Sequence, residues 1–236
     1  ELFAPLRAAG YRVTLIEAEN RGFGHGCNAG AAIAAGDALI FANPDIEFLT
    51  SLEPVLADQR PDRWGTVTQR DGRGRTHAFN VLPEHWSVIG SLRRAYQHRF
   101  PDHPYWGNKL YAVGAFLIVQ RALSHAVGGF DEGFFMYYEE AELCRRLQMQ
   151  NHRPVHYPQV EILHAAFGSA TSFERTLAQE TQGFLTYARV TGASSMIRVR
   201  KIVLALTAPV SKGASLQQRI FRQALHSPPD AQRKAP

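Results

Sequence analysis

Residues 11–45 read YRVTLIEAENRGFGHGCNAGAAIAAGDALIFANPD and contain two successive units of alternating secondary structure. Residues 11–17 are rich in β-branched and apolar side chains, which predicts a strand. A glycine-rich turn over residues 21–26 and an alanine-rich helix over residues 28–35 follow. Residues 38–43 form a short, continuous apolar run of the kind that is buried in a parallel sheet. Two βα repeats in succession predict an α/β fold.

The remainder of the chain continues this alternation. Strands are predicted over residues 110–120, with a pause at Gly114 and Ala115, and over residues 155–163, which lead to His164. Helices are predicted over residues 50–60, 136–150, 172–191 and 196–206. Segments without clear periodicity, typical of surface loops, are residues 60–75, 82–106 and 128–135, and the last ten residues are predicted to be disordered.

The composition fits one sizeable globular domain. The chain has 236 residues, 45% of them apolar, which is enough to bury a core. Cys27 and Cys144 lie far apart without a C-x-x-C spacing, so a reducing, cytoplasmic environment fits best. No apolar run approaches the roughly 20 residues that span a bilayer, and we expect a soluble protein. Because the chain opens at Glu1 on what reads as the end of a helix, we also expect that upstream sequence is missing.

The net charge of +5 bears on partners. Basic residues recur between Arg189 and Lys234 with few acids, which suits an anionic surface or a solvated helical face. Residues 197–210, IRVRKIVLALTAPV, combine basic and apolar side chains, as expected for peripheral contact with a membrane interface or for a packed C-terminal helix. Since no arginine-aromatic module or known docking motif is present, we predict no nucleic-acid partner.

Asp45 follows the apolar run of residues 38–43. Ligands of open α/β sheets bind beyond the carboxyl ends of strands, so Asp45 is placed to meet a ligand. Mg²⁺ uses one or two carboxylates together with substrate phosphates, and Asp45 could supply one of them. An Asx-Pro turn that closes the strand is the structural alternative.

A glycine-rich segment, NRGFGHGCNAG, covers residues 20–30 and precedes the predicted helix. Its backbone N–H groups and the helix N-terminus could receive a phosphate or lie against a nucleotide. The segment is neither G-x-G-x-x-G nor a P-loop with its lysine, so neither a dinucleotide site nor an ATPase site is indicated. A purely structural turn is the alternative.

An acidic cluster of Glu139, Glu140 and Glu142 stands at the start of a predicted helix. Carboxylates there are favoured by the helix dipole, and Glu142 could pair with Arg146 one turn later, which is the structural interpretation. In the functional interpretation, one carboxylate acts as general base on an acceptor hydroxyl. His164, at the end of the following strand, could complete a metal site with Asp45.

In chain order these segments resemble the rhamnosyltransferase-like branch of the family 2 glycosyltransferases, which have the GT-A fold. NRGFGHGCNAG resembles the family element N-x-G-F-x-x-x-x-N-x-G, and ALIFANPD resembles its strand ending in L-N-P-D. VGAFLIVQRALSHAVGGFDEGFFMYYEEAELCRRL resembles G-A-x-x-x-x-R followed by G-G-F-D-E-x-F-F-M-Y-x-E-D-x-D-L-C-x-R, and VHYPQVEILHAAFGSA resembles the closing Y-x-P-x-x-x-x-x-H-x-x-G-x-S. The four motifs span residues 20–169.

The resemblance implies a nucleotide-sugar-binding, Rossmann-like mixed sheet flanked by helices. Residues 1–171 would be the GT-A domain, incomplete at its N-terminus because the family's first strands have no counterpart, and residues 172–236 a C-terminal helical extension and basic tail. The implied activity transfers a sugar with inversion from a nucleoside-diphosphate donor, of the dTDP-rhamnose or UDP-hexose class, to an acceptor hydroxyl.

The family's functional residues carry over by position. Metal (Mg²⁺ or Mn²⁺) would be held by Asp45 and His164, and Glu140 would be the catalytic base, preceded by Glu139. The nucleotide-sugar side would comprise Asn20, Gly22, Phe23, Asn28, Asn43 and Asp45. The acceptor side would comprise Trp106, Gly114, Ala115, Asp131 and Glu132. Two glutamates depart from the family pattern, since Glu140 and Glu142 both stand where it has Asp.

The resemblance also implies a cellular role. We expect synthesis of a cell-surface polysaccharide of the cell envelope, on a glycan or lipid-linked acceptor, at the inner face of the cytoplasmic membrane. A catalytically degenerate, sugar-nucleotide-binding or glycan-binding remnant is the alternative, and replacing Glu140 separates the two because only an enzyme should lose turnover while it keeps donor affinity.

Overall fold

The computed structural model describes residues 3–85, 109–164, 173–210 and 212–226. The strands are β1 (Ala38–Ala42), β2 (Ile46–Phe48), β3 (Trp64–Arg70), β4 (Thr76–His77), β5 (Phe79–Val81), β6 (Leu110–Ala112), β7 (Phe116–Gln120) and β8 (Pro154–His164). The helices are α1 (Ala4–Ala8), α2 (Phe23–Ile33), α3 (Glu53–Leu56), α4 (Arg121–Val127), α5 (Glu139–Met149), α6 (Phe173–Val190), α7 (Ser195–Thr207) and α8 (Lys212–His226). Short 3₁₀ turns cover Pro83–His85 and Ala208–Val210.

The main sheet is mixed. Its strands follow the order β1-β7-β3-β8-β2, with β4 paired to β3, while β5 and β6 form a separate two-stranded sheet. The pair β3–β8 is parallel, and β7 runs antiparallel to both β1 and β3. A mixed sheet flanked by helices confirms the predicted α/β class. The parallel pairing expected for residues 38–43 was wrong, because β1 is hydrogen-bonded to the antiparallel β7.

Strand β7 separates two hydrophobic layers. Leu117 and Val119 belong to a large cluster that α2, α5 and α6 also enter, whereas Phe116 and Ile118 belong to a smaller cluster on the other face. All four side chains are at most 1% exposed. A strand buried on both faces reads as a continuous apolar run, which is why its sequence was recognisable.

The central strand β3 was missed, because residues 60–75 were interpreted as a surface segment. The strand includes Thr66 and Gln69, which are polar but buried. Their hydrogen bonds explain the burial: Thr66 Oγ1 donates to the Phe116 carbonyl (2.5 Å), and the Gln69 amide donates to Thr66 Oγ1 (3.1 Å) and the Val113 carbonyl (2.9 Å). Buried polar groups with partners are tolerated but erase the hydrophobic pattern.

The strand predicted over residues 11–17 was also wrong, since that segment is irregular in the structure. Leu15 and Ile16 are 61% and 41% exposed, and no neighbouring strand among the described residues pairs with the segment. β-branched composition favours a strand only where a sheet edge is available for pairing. The helix expected over residues 50–60 is reduced to α3, and the glycine-rich turn expected over residues 21–26 is largely the first turn of α2.

The C-terminal helices share the main core. Phe184 and Tyr187 of α6, Leu204 of α7 and Phe221 of α8 are buried in the same cluster as the sheet residue Trp64. The helices predicted over residues 172–191 and 196–206 are confirmed as α6 and α7, and the last ten residues lie outside the described part of the chain. In the described ranges, no helix has both the length and the apolar character required to cross a bilayer.

Candidate active site

Asn43, Asp45 and His164 converge at one end of the sheet. Strand β2 pairs with β8 so that Ile46 lies opposite His164, and this register brings the residue before Ile46 to the imidazole. Asp45 Oδ1 is 3.5 Å from His164 Nε2, and the Asn43 amide nitrogen is 3.4 Å from the same ring nitrogen. The Asp45 carboxylate and the Asn43 amide therefore both lie beside the His164 imidazole.

The ligand atoms of Asp45 and His164 suit a divalent ion that also binds a diphosphate. Carboxylate oxygen ligates Mg²⁺ and Mn²⁺, whereas an imidazole nitrogen suits a transition ion such as Mn²⁺ better than Mg²⁺, and Mg²⁺ typically takes only one or two protein carboxylates beside substrate phosphates. The separation of 3.5 Å between Asp45 Oδ1 and His164 Nε2 is compatible with neighbouring ligands on an ion with bonds of about 2.1 Å. Among the described residues, no group of three or more His, Cys, Asp or Glu is arranged to hold a metal.

Glu140 lies close to the same strand end. The Asn43 N–H donates to the Ala115 carbonyl (3.0 Å), which links the β1 end to the pause between β6 and β7. The neighbouring Gly114 lies against Glu140, since a Cβ built on Gly114 would be 3.1 Å from Glu140 Oε1. The glycine thus makes room for the carboxylate. Gly114 and Ala115 were predicted on the acceptor side. They connect Asn43, and with it the Asp45 and His164 pair, to Glu140.

The turn before Glu139 is strained. Tyr137 and Tyr138 have φ values of 69° and 71°, a region that costs a non-glycine residue of order 1–3 kcal/mol. Contacts from α6 hold the turn: a Cβ on Gly183 would be 2.4 Å from the Tyr137 carbonyl oxygen, and the Tyr138 hydroxyl donates to Glu180 (2.6 Å). Glu180 is also paired with Arg200 of α7 (2.6 Å). The C-terminal helices therefore fix the point from which α5 starts.

The environment raises the pKa values of Glu139 and Glu140. Glu139 is 4% exposed and its Oε2 atom has no hydrogen-bond partner, so burial, with the adjacent Glu140, raises its pKa well above the usual range. Burial raises the pKa of Glu140 to about 7. A general base works best with a pKa near the operating pH, so Glu140 suits that role. Glu142 instead forms an ion pair with Arg146 (2.6 Å), as the structural interpretation predicted.

We expect Glu139→Met to stabilise the protein at alkaline pH. A carboxyl whose pKa is raised on folding contributes stability below its unfolded pKa near 4.5, and this is lost as the pH rises through the folded pKa. Methionine removes both the buried charge and the unpartnered oxygen, so the gain at pH 8 should be about 1–3 kcal/mol. Urea unfolding at pH 4.5 and pH 8 measures it. The wild type should lose stability between the two pH values and the variant should lose less; parallel pH profiles would contradict the assignment.

The glycine-rich segment and the loop before α5 pack as one unit. Gly22 has φ 116°, and a Cβ there would be 2.5 Å from the Phe135 carbonyl oxygen, which accepts the Phe23 N–H (2.9 Å). A Cβ on Gly24 would be 2.9 Å from Phe130 Cβ. Gly22 and Gly24 allow α2 to pack closely against residues 130–135, because a Cβ at either position would clash. The Phe23 N–H at the start of α2 therefore donates its hydrogen bond to that loop.

Asn28 and Glu132 belong to one hydrogen-bond network in the same unit. The Asn28 side chain accepts from the Phe130 N–H (2.9 Å) and donates to the Phe130 carbonyl (2.9 Å) and to Glu132 (3.1 Å). Hydrogen bonds from Asn28 and from His25 (2.8 Å) lower the pKa of Glu132. The sequence placed Asn28 on the nucleotide side and Glu132 on the acceptor side; the structure brings both to the support of the loop that precedes the two glutamates.

The remaining predicted residues are distributed more loosely. The Asn20 side chain accepts from the Gly22 N–H at 3.4 Å and is exposed, and Asp131 Oδ1 accepts from the Gly133 N–H (2.8 Å) within the loop. Trp106 lies outside the described residues. Sequence reasoning missed Tyr138, Glu180 and Arg200, whose contacts fix the turn, because their partners are distant in the chain and no local signal marks them.

The chain is similar to known sugar transferases. It is 27% identical over 172 residues to the rhamnosyltransferase WbbL of Escherichia coli, covering 64% of each protein. It is 43% identical over 146 residues to the N-acetylglucosaminyl-diphospho-decaprenol L-rhamnosyltransferase of Mycobacterium tuberculosis, covering 54% of this chain and 47% of that one. The chain therefore spans about half to two thirds of these relatives. No family model matches it.

A solved structure supports the fold. The mannosyltransferase PcManGT from Pyrobaculum calidifontis, determined with GDP-Man and Mn²⁺, aligns with a TM-score of 0.51 at 18% identity over 97% of this chain and 68% of that one. This likeness identifies the GT-A fold of the glycosyltransferases. Within that class, the two relatives to which the chain is similar are both rhamnosyltransferases.

Proposed function

We propose that the chain carries the catalytic site of an inverting glycosyltransferase that moves a hexosyl or rhamnosyl group from a nucleoside-diphosphate donor to an acceptor hydroxyl. The supporting observation is the position of Glu140 against Gly114, one hydrogen-bonded step from the Asn43, Asp45 and His164 group. A base and a diphosphate site near one strand end are the two groups that an inverting displacement requires.

The chemistry follows from those two groups. Glu140 takes the proton of the acceptor hydroxyl as that oxygen forms its bond to the anomeric carbon. The anomeric C–O bond to the donor breaks on the opposite face, and the nucleoside diphosphate leaves with the electron pair. Asp45 and His164 would hold the divalent ion, which when bound supplies positive charge to the leaving diphosphate. No second carboxylate is required to protonate the leaving group, in contrast to a glycoside hydrolase.

The buried Glu139 would assist without contacting the acceptor. It is 4% exposed, and burial together with the adjacent Glu140 raises its pKa, which favours its neutral form. A neutral neighbour allows Glu140 to ionise without like-charge repulsion. We therefore assign proton transfer to Glu140 and a supporting position to Glu139.

The donor and acceptor classes are drawn from the relatives. The mycobacterial protein is described as an L-rhamnosyltransferase of a diphospho-decaprenol-linked sugar, and the mannosyltransferase of the same fold was solved with a nucleotide sugar and Mn²⁺. We infer a dTDP-rhamnose or UDP-hexose donor and a glycan or lipid-linked acceptor, in the synthesis of cell-envelope polysaccharide. Work on a lipid-linked acceptor would place the protein at the inner face of the cytoplasmic membrane, with peripheral contact through its basic C-terminal segment.

Calorimetric titration of dTDP and of UDP into the intact protein, with and without Mn²⁺, tests the proposal. We expect binding of one nucleotide to strengthen at least tenfold with Mn²⁺, and Asp45→Asn to remove that gain, because a carboxylate ligand is lost. Asp62→Asn, at an exposed position, is the matched control. Nucleotide binding that does not depend on Mn²⁺ in either the wild type or Asp45→Asn would contradict the ion site. Nucleotide binding without sugar transfer would favour the alternative of a catalytically degenerate, sugar-nucleotide-binding remnant.

A further inference from the structure

Helix α7 has two apolar faces. One face enters the core through Met196 and Leu204, which are 7% and 5% exposed. The other carries Val199, Ile202, Val203 and Leu206, which are 40%, 60%, 44% and 73% exposed. Their spacing of i, i+3, i+4 and i+7 places them in one stripe, which we name the outer stripe. A helix that only packed on this chain would carry polar side chains there.

Positive charge lies along one flank of the outer stripe. Residues 195–226 contain six lysines and arginines and no aspartate or glutamate. Arg200 and Arg219 are paired with Glu180 and Glu174 of α6. Arg198 and Lys201 are exposed and, one turn apart, follow one flank of the outer stripe.

The cationic flank continues into a groove between α7 and α8. The groove has a volume of about 420 Å³, and Lys201, Arg222 and His226 line it together with the apolar Leu204, Phe221 and Leu225. An apolar stripe beside cations, with an adjoining groove of the same character, matches the acyl and headgroup levels of an anionic lipid surface.

We propose that the outer stripe of α7, with Arg198 and Lys201, is a docking surface for a bilayer that contains anionic lipid. A protein partner fits less well, because four side chains on one helix offer far less than the roughly 800 Å² per partner of a stable interface. A lipid surface needs only shallow insertion and charge attraction. This inference deepens the membrane contact proposed above and rests on that proposed function for its purpose.

The docking helix is joined to the candidate site by direct contacts. The Arg200 guanidinium lies 4.5 Å from the centre of the Phe184 ring and is paired with Glu180. Glu180 accepts the hydrogen bond of Tyr138, the residue that precedes Glu139. The helix that would meet the lipid thus belongs to the same rigid support as the proposed base, which would keep the site at a fixed height above the membrane.

Vesicle co-sedimentation of the intact protein tests the surface, with phosphatidylcholine vesicles containing 30% phosphatidylglycerol against pure phosphatidylcholine. We expect binding to the anionic vesicles, weakened at least tenfold by 0.5 M salt. Ile202→Gln with Leu206→Gln should lower binding at least tenfold, and so should Arg198→Gln with Lys201→Gln, since each surface cation contributes about fivefold. Met149→Gln and Arg153→Gln are matched controls away from α7 and should bind normally.

Three results would overturn the proposal: equal binding to both vesicles, wild-type binding by the α7 variants, or an α7-dependent dimer in ultracentrifugation without lipid binding. Nucleotide titration of the same variants separates the two proposals. If the wild type binds vesicles but no nucleoside diphosphate, the proposed function fails and the surface stands. If nucleotide binding is intact and vesicle binding absent, only the surface fails.

Discussion

Glu140→Gln should abolish sugar transfer while donor binding is retained. The amide matches the carboxylate in size and keeps the packing against Gly114, but it cannot accept the acceptor proton. General-base catalysis contributes about 10²–10⁴-fold, so the turnover number should fall by that factor. The dissociation constant of the nucleotide should stay within about twofold, because Glu140 is proposed to contact the acceptor and not the nucleotide. Radiometric transfer and calorimetry on one preparation measure both quantities.

The pH dependence gives an independent check on Glu140. Its pKa is raised to about 7 by burial, and the base must be ionised to act, so the rate should rise with pH through neutrality and then level. The residual activity of the Gln variant should lack this rise. Glu53→Gln, at an exposed position on α3, should leave rate and profile unchanged. A Glu140→Gln variant with near-normal turnover would reject the base assignment, and one that has also lost nucleotide binding would show a structural role.

The sequence allowed the site residues to be found where they follow regular strands. β1 and β8 have recognisable apolar patterns, so Asp45 and His164 were correctly expected at strand ends, and the structure brings them to 3.5 Å. Glu140 was found because three acids at a helix start are conspicuous. The assignment of the base to Glu140 rests on the resemblance and stays a prediction. The structure adds that Glu142 is bound to Arg146, whereas the carboxylate of Glu140 lies against Gly114.

Long-range packing could not be predicted. Strand β3 was not predicted because it contains the polar residues Thr66 and Gln69. Their burial is stabilised by hydrogen bonds to each other and to chain segments some 50 residues away. The segment 11–17 has strand composition, yet a strand forms only beside a partner strand. Support of the Tyr137–Tyr138 turn by Gly183 and Glu180 of α6 likewise joins residues more than 40 positions apart. The periodicity of apolar residues reports on residues that are close in sequence, so it does not predict these long-range contacts.

Gly22→Ala should destabilise the fold more than any other alanine substitution in the glycine-rich segment. Gly22 has φ 116°, and the new Cβ would lie 2.5 Å from the carbonyl oxygen and 2.7 Å from the Cα of Phe135, both backbone atoms that cannot move aside without displacing the loop. Conformational strain and the clash together should cost about 3 kcal/mol or more. In a chain of this size the melting temperature would fall by at least about 6–12 °C.

Gly26→Ala and Gly30→Ala are the matched controls, because both glycines lie within α2 and nothing approaches their Cβ positions within 4 Å. Each should leave stability unchanged or raise it by about 0.5–1 kcal/mol, since alanine is the better helix former. Urea unfolding of the three variants decides the matter. If Gly22→Ala unfolds like the controls, the packing of α2 on residues 134–135 is not as described. If it is destabilised yet folded, the displaced loop should also shift Glu140, and turnover should fall further than nucleotide binding, because the loop leads directly into the proposed base.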